Sequence, residues 1–81
     1  MSNAWQTTDE DIMNVMARHG VELDEEEIEF ILSRLDHDAI ERAALFGDEI
    51  EDQTGYAYDE IDKQIHDGNL RKLASESVFG G

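Results

Sequence analysis

The sequence predicts an all-α domain: a small three-helix bundle in which a helical hairpin packs on a long third helix, followed by a short C-terminal helical turn. Three observations carry that expectation. There is no proline in the 81 residues, apolar side chains recur at helical spacing, and three stretches open with a side-chain oxygen followed three residues later by a carboxylate, the pattern of a capping box. The chain has no cysteine, which removes disulfides, thiolate chemistry and cysteine-rich zinc sites and leaves packing to hold the core. A chain this short buries only about 60–65% of the surface that its unfolded form exposes. The expectation is therefore one domain over residues 1–81, without a deep catalytic cleft.

The first helix opens at Thr7 or Thr8, with Thr8 as cap, Asp11 as its reciprocal partner, and Asp9 and Glu10 placed to favour the positive end of the helix dipole. Its apolar positions are Ile12, Met13, Val15 and Met16, and His19-Gly20 supplies the stop. Met1 to Ala4 resembles a tag-cleavage remnant and carries no part of the fold expectation. Asp24 and Glu27 cap a second helix, with Val21 and Leu23 beneath it. Ile28, Ile31, Leu32 and Leu35 repeat at i, i+3, i+4 and i+7 and form one apolar face. Phe30 lies nearly opposite, either as a flanking contact with the arm around Trp5 or as an exposed contact residue.

Asp38 and Glu41 open a third segment. From there Ile40, Ala43, Ala44, Gly47, Ile50, Thr54, Ala57, Tyr58, Ile61 and Ile65 keep the period as far as Gln64 or His66. Read as one helix of about 28 residues, it spans roughly 42 Å. Gly47 and Gly55 each cost about 1 kcal/mol relative to alanine in a helix interior, and a break at either is the alternative. The small residues at 43, 44, 47 and 57 permit close approach of neighbouring helices. His66-Asp67-Gly68 is a second stop signal, after which Leu70, Leu73 and Ala74 suit one or two helical turns. Residues 1–6 and 75–81 are expected to be flexible.

Charge is the chain's strongest compositional feature, with 21 acids against six Lys and Arg and a net of −15. It is laid unevenly: up to Asp62 there are 19 acids against Arg18, Arg34 and Arg42, whereas residues 63–81 carry a net of +1. Such a field repels DNA, RNA and anionic membranes and attracts basic proteins. No apolar run reaches the roughly 20 residues that cross a bilayer, and the N-terminal stretch lacks the basic and apolar regions of a signal peptide. A soluble protein in the cytoplasm of a bacterium or phage host cell is expected.

The chemistry-bearing residues exclude more than they suggest. His19, His37 and His66 sit at helix boundaries without His-x-x-x-His or Glu-x-x-His spacing, so capping accounts for them better than metal binding. The acidic stretches 24–27 and 48–52 lack the Asp-x-Asp-x-Asp-Gly pattern of a calcium loop. No serine has a nucleophile context, and no glycine-rich loop is present to cradle a phosphate. The chain is expected to be neither an enzyme nor a cofactor carrier.

The long segment carries a more specific signal. At about 100° per residue, Leu45, Asp52, Tyr56 and Lys63 share a stripe at least about 120° away from the core face, and Glu49, Asp59 and Glu60 flank it. Apolar anchors framed by acids suit a partner that presents Lys or Arg around an apolar dimple, so Leu45, Glu49, Asp52, Tyr56, Asp59 and Glu60 are the candidate partner-binding residues. Alternatively the terminal segment, through Leu70 and Leu73, or a second copy of the chain covers Leu45 and Tyr56. Carboxylates renewed every 4.5–6 Å or so along a helix can also stand in for phosphates.

In length, charge, lack of cysteine and helical character the chain resembles the small acidic proteins that phages and mobile elements use to disable host defence, among them anti-restriction and anti-CRISPR proteins. The resemblance implies an inhibitor of a host protein, and some such proteins mimic nucleic acid. The expected function is non-catalytic binding to a basic, nucleic-acid-binding protein. The alternative is an accessory or structural interaction protein, or a homodimer, whose acidity serves solubility.

Overall fold

The computed structural model describes residues 5–79; positions 1–4 and 80–81, expected to be flexible, lie outside the described residues. The protein is all-helical, with five helices among the described residues: α1 (Asp9–Ala17), α2 (Glu25–Arg34), α3 (His37–Ala44), α4 (Ile50–Asp67) and α5 (Leu70–Phe79). The first two form where capping and apolar period agree. The Thr8 amide donates to Asp11 Oδ2 at 2.9 Å and the Asp24 amide to Glu27 Oε1 at 3.1 Å, each closing the return half of a capping box. Gly20 then ends the α1 turn in the left-handed conformation at φ +69°, as its missing Cβ allows.

The third start lies two residues earlier than expected. Asp36, not Asp38, caps α3, its Oδ1 accepting from the Ala39 amide at 3.2 Å. Gln64 holds the Asp36 backbone from across the fold, accepting from its N–H at 2.7 Å and donating to its C=O at 3.2 Å. That clamp leaves Asp38 inside the first turn.

The expected long helix is instead two, and the three-helix arrangement gives way to five helices with the break at Gly47. Phe46 and Gly47 close the end of α3 on the Ala43 and Ala44 carbonyls, and the chain then reverses. A Cβ on Gly47 would lie 2.4 Å from the Gln53 nitrogen and 2.6 Å from the Asp52 carbonyl carbon. With Asp36 beside Gln64 at one end and Gly47 beside Asp52 at the other, α3 and α4 form an antiparallel hairpin. The α4 helix of 18 residues spans about 27 Å. Gly55 survives inside α4 because one glycine costs only about 1 kcal/mol. A Cβ there meets nothing within 4 Å. Gly55→Ala should accordingly stabilise the protein by about 0.5–1 kcal/mol, read as a higher midpoint in urea at unchanged slope.

Every helix contributes to one core: Ile12, Val15 and Met16 from α1, Ile28 and Ile31 from α2, Ile40 and Ala44 from α3, Ala57, Ile61 and Ile65 from α4, and Leu70 and Ala74 from α5, with Leu35 at the α2–α3 junction. Leu32, expected on the buried face, is only half-buried, and Met13 is exposed. Phe30 is a flanking contact, packed on the core with the Arg34 guanidinium 4.9 Å from its ring centre. Trp5 packs edge-on against Tyr58 at 6.3 Å between centroids. The α5 helix runs to Phe79 rather than fraying from residue 75, and docks on α2 and α4. Its entry also differs from the expected stop: Gly68 is right-handed and Asn69 takes the left-handed conformation at φ +52°.

Candidate functional site

The break at Gly47 divides the expected stripe. Leu45 becomes the C-cap of α3 and Glu49 the N-cap of α4, while Asp52, Tyr56, Asp59 and Lys63 remain on one face of α4 at i, i+4, i+7 and i+11. Leu45 is 67% exposed and Tyr56 48%, so the terminal segment does not cover them; Leu70 is spent in the core and Leu73 is itself exposed. Glu49 and Asp52 are exposed as expected.

Two of the six candidates are engaged within the protein. Asp59 pairs with Arg18 Nη1 at 3.3 Å, and the same guanidinium lies 5.4 Å from the Tyr58 ring centre. Glu60 is half-buried and accepts from Gln64 Nε2 at 2.9 Å. The open part of the surface therefore lies at the N-terminal end of α4. Among the described residues Arg18 pairs with Asp59 and the His19 ring contacts Asp62, which leaves Asp48, Glu49, Glu51 and Asp52 without a cationic partner.

Two residues of this corner escaped the periodicity. Phe46 is 78% exposed, its ring centroid 6.3 Å from that of Tyr56 at an interplanar angle of 56°. Ile50, expected in the core, is 79% exposed. It lies seven residues before Ala57 on the same side of α4, but α3 leaves at Gly47, level with Asp52 and Gln53, and Ile50 projects past that contact. The signal for this corner was the Leu45-Phe46 pair against a glycine and four acids, a breaker beside apolar residues.

Elsewhere two histidines are tied into the fold, whereas acids such as Glu25, Glu26 and Glu29 on α2 are exposed. His37 Nε2 donates to the Leu32 carbonyl at 3.0 Å, a C-terminal cap of α2. His19 Nε2 lies 3.0 Å from both Asp62 oxygens, linking the end of α1 to α4. His19 and His66, distant in sequence, line one groove of about 610 Å³ with Glu27, Asp62, Arg71 and Lys72. Among the described residues no three His, Asp or Glu side chains are placed to hold a metal ion. None of the described helices is long and apolar enough to cross a membrane.

Tyr58 ties α4 to α1 by donating to Asp11 Oδ1 at 2.9 Å and accepting from Asn14 Nδ2 at 3.0 Å. Burial raises its pKa above the ordinary 10.0, the Asn14 bond opposes that, and the Asp11 carboxylate adds to it. The folded protein thus favours the neutral phenol. Its contribution to stability is complete below about pH 10, where the unfolded chain is also protonated, and is lost as pH rises through the higher folded-state value. Tyr58→Phe should flatten the alkaline fall in melting temperature, measured by far-ultraviolet circular dichroism.

No protein-family model matches the chain, and neither a curated protein nor a solved structure does.

Proposed function

We propose that this is a non-catalytic acidic protein that binds a basic protein surface through the exposed beginning of α4, and in its most concrete form a phage-type inhibitor that occupies a nucleic-acid-binding site. The observation that carries this reading is the run of four carboxylates at 48, 49, 51 and 52, without cationic partners among the described residues, beside the exposed ring of Tyr56. Unpaired surface acids steer a cationic partner at long range, and an exposed aromatic gives the formed complex a packed anchor. Asp59 and Glu60, held by Arg18 and Gln64, contribute to the field more than to contacts.

The two roles separate kinetically. With a basic, nucleic-acid-binding partner in hand, joint reversal of Glu49 and Asp52 to lysine should slow association about ten-fold at low salt and flatten its salt dependence. Tyr56→Ala should instead speed dissociation. Both variants should keep the parent's helicity. Excess duplex DNA or RNA should displace the protein from its partner. A partner that holds this protein and nucleic acid together without mutual loss of affinity sinks the mimic and leaves the accessory role. A self-association that persists in high salt points to the homodimer.

A further inference from the structure

The corner where α3 turns into α4 joins two features that a soluble surface ordinarily keeps apart. Within residues 45–50 three large apolar side chains, Leu45, Phe46 and Ile50, stand at least two-thirds exposed, and Phe46 lies against Tyr56. Single exposed apolar residues are ordinary, whereas a group gathered at one turn marks a binding surface. The group is held in place: Gly47 sits on the backbone of Asp52 and Gln53, and Gln53 Nε2 donates to the Gly47 carbonyl at 3.4 Å. A corner fixed in this way needs little ordering when it is bound.

The charge around it selects the occupant. Asp48, Glu49, Glu51 and Asp52 alternate with the apolar residues along this stretch, and no Lys or Arg occurs between Arg42 and Lys63. A second copy docked corner to corner would bring eight carboxylates around one apolar contact, because a two-fold interface meets itself. Like charges so placed oppose association. A nucleic acid or an anionic membrane meets the same repulsion. We infer that the α3–α4 corner, anchored by Phe46 and Ile50 as well as Leu45 and Tyr56, docks a cationic amphipathic helix of another protein, whose apolar stripe covers the four side chains while its lysines or arginines face the acids. The occupant's sign follows from the proposed basic partner, and the apolar anchors are what the inference adds. Amphipathic helices are bound through their apolar face, and charge around the contact favours the complementary partner.

Two synthetic peptides of 18 or so residues test it, a Leu-Lys amphipathic helix and a Ser-Lys peptide of equal charge, titrated into the full chain with amide resonances as the readout. The Leu-Lys peptide should bind at least about ten-fold more tightly, a difference worth roughly 1.4 kcal/mol, and should shift the amides of residues 45–56 most. The double variant Phe46→Ser/Ile50→Ser should abolish that preference while leaving Ser-Lys binding unchanged. Both positions are more than three-quarters exposed, so the fold should persist, and far-ultraviolet circular dichroism verifies it. An unchanged preference in the double variant overturns the inference, as do shifts spread evenly over all acids for both peptides, or shifts centred on the groove between α1 and α5. Concentration-dependent shifts at 45–56 without peptide, together with a dimer in sedimentation, would assign the corner to a second copy and also overturn it. If charge reversal at Glu49 and Asp52 weakens a protein partner but the Phe46/Ile50 variant does not, this docking mode fails and the proposed function stands. If neither does, both fail.

Discussion

Ile31→Ala should lower the stability by about 2–5 kcal/mol, enough to populate the unfolded state in a domain of this size. Ile31 is fully buried on α2, the helix that packs on both α1 and α5, so the lost methyl groups leave a cavity that no single neighbour can fill. The neighbouring positions grade the effect. Leu32, half-buried, should lose less, and Phe30 less again, because its ring keeps one side toward the core and the other under Arg34. Urea unfolding of the three alanine variants measures the order directly. Equal losses at 30 and 31 would mean that the buried face of α2 lies elsewhere.

Gly47→Ala should cost about 1–3 kcal/mol, at the upper end of that range, through overpacking. The contacts that a Cβ would meet, the Gln53 nitrogen at 2.4 Å and the Asp52 carbonyl carbon at 2.6 Å, belong to backbone and cannot swing away. Relief requires the backbone at the α3–α4 turn to shift. The same substitution at Gly55, where a Cβ meets open space, should have the opposite sign. Two identical changes in one protein, with opposite shifts in denaturation midpoint, would establish that close packing at the turn, and not helix propensity, explains why position 47 is glycine. A Gly47→Ala variant as stable as the parent would refute the hairpin's close approach.

Much of the candidate site was legible because it depends on local spacing. Asp52 and Tyr56 stay together on α4 whether the helix begins at Ile50 or back at Asp38, since both lie beyond the break. Leu45 and Glu49 were placed by extending one helical period through Gly47, and they remain exposed for a different reason, as cap residues of two helices. Phe46 and Ile50 were missed by the same extension. An uninterrupted helix assigns Ile50 to the core side, and only the chain reversal strips it of a covering neighbour. Asp59 and Glu60 were read as open acids because no periodicity announces that Arg18 and Gln64 reach them.

What the sequence determined by itself is what local chemistry controls: helical character throughout, the starts at Thr8 and Asp24 where a side chain and an amide three residues apart satisfy each other, the left-handed stop at Gly20, and the acidity of the chain before Asp62. Tertiary structure decided the rest. Whether a glycine is tolerated inside a helix or ends it differs by about 1 kcal/mol in propensity, less than packing contributes, so Gly55 continues a helix and Gly47 closes one. The balance at Gly47 is tipped by the turn, which seats Gly47 on Asp52 and Gln53, and by the hold of Gln64 on Asp36 from far along the chain, and both exist only once α3 has folded back onto α4.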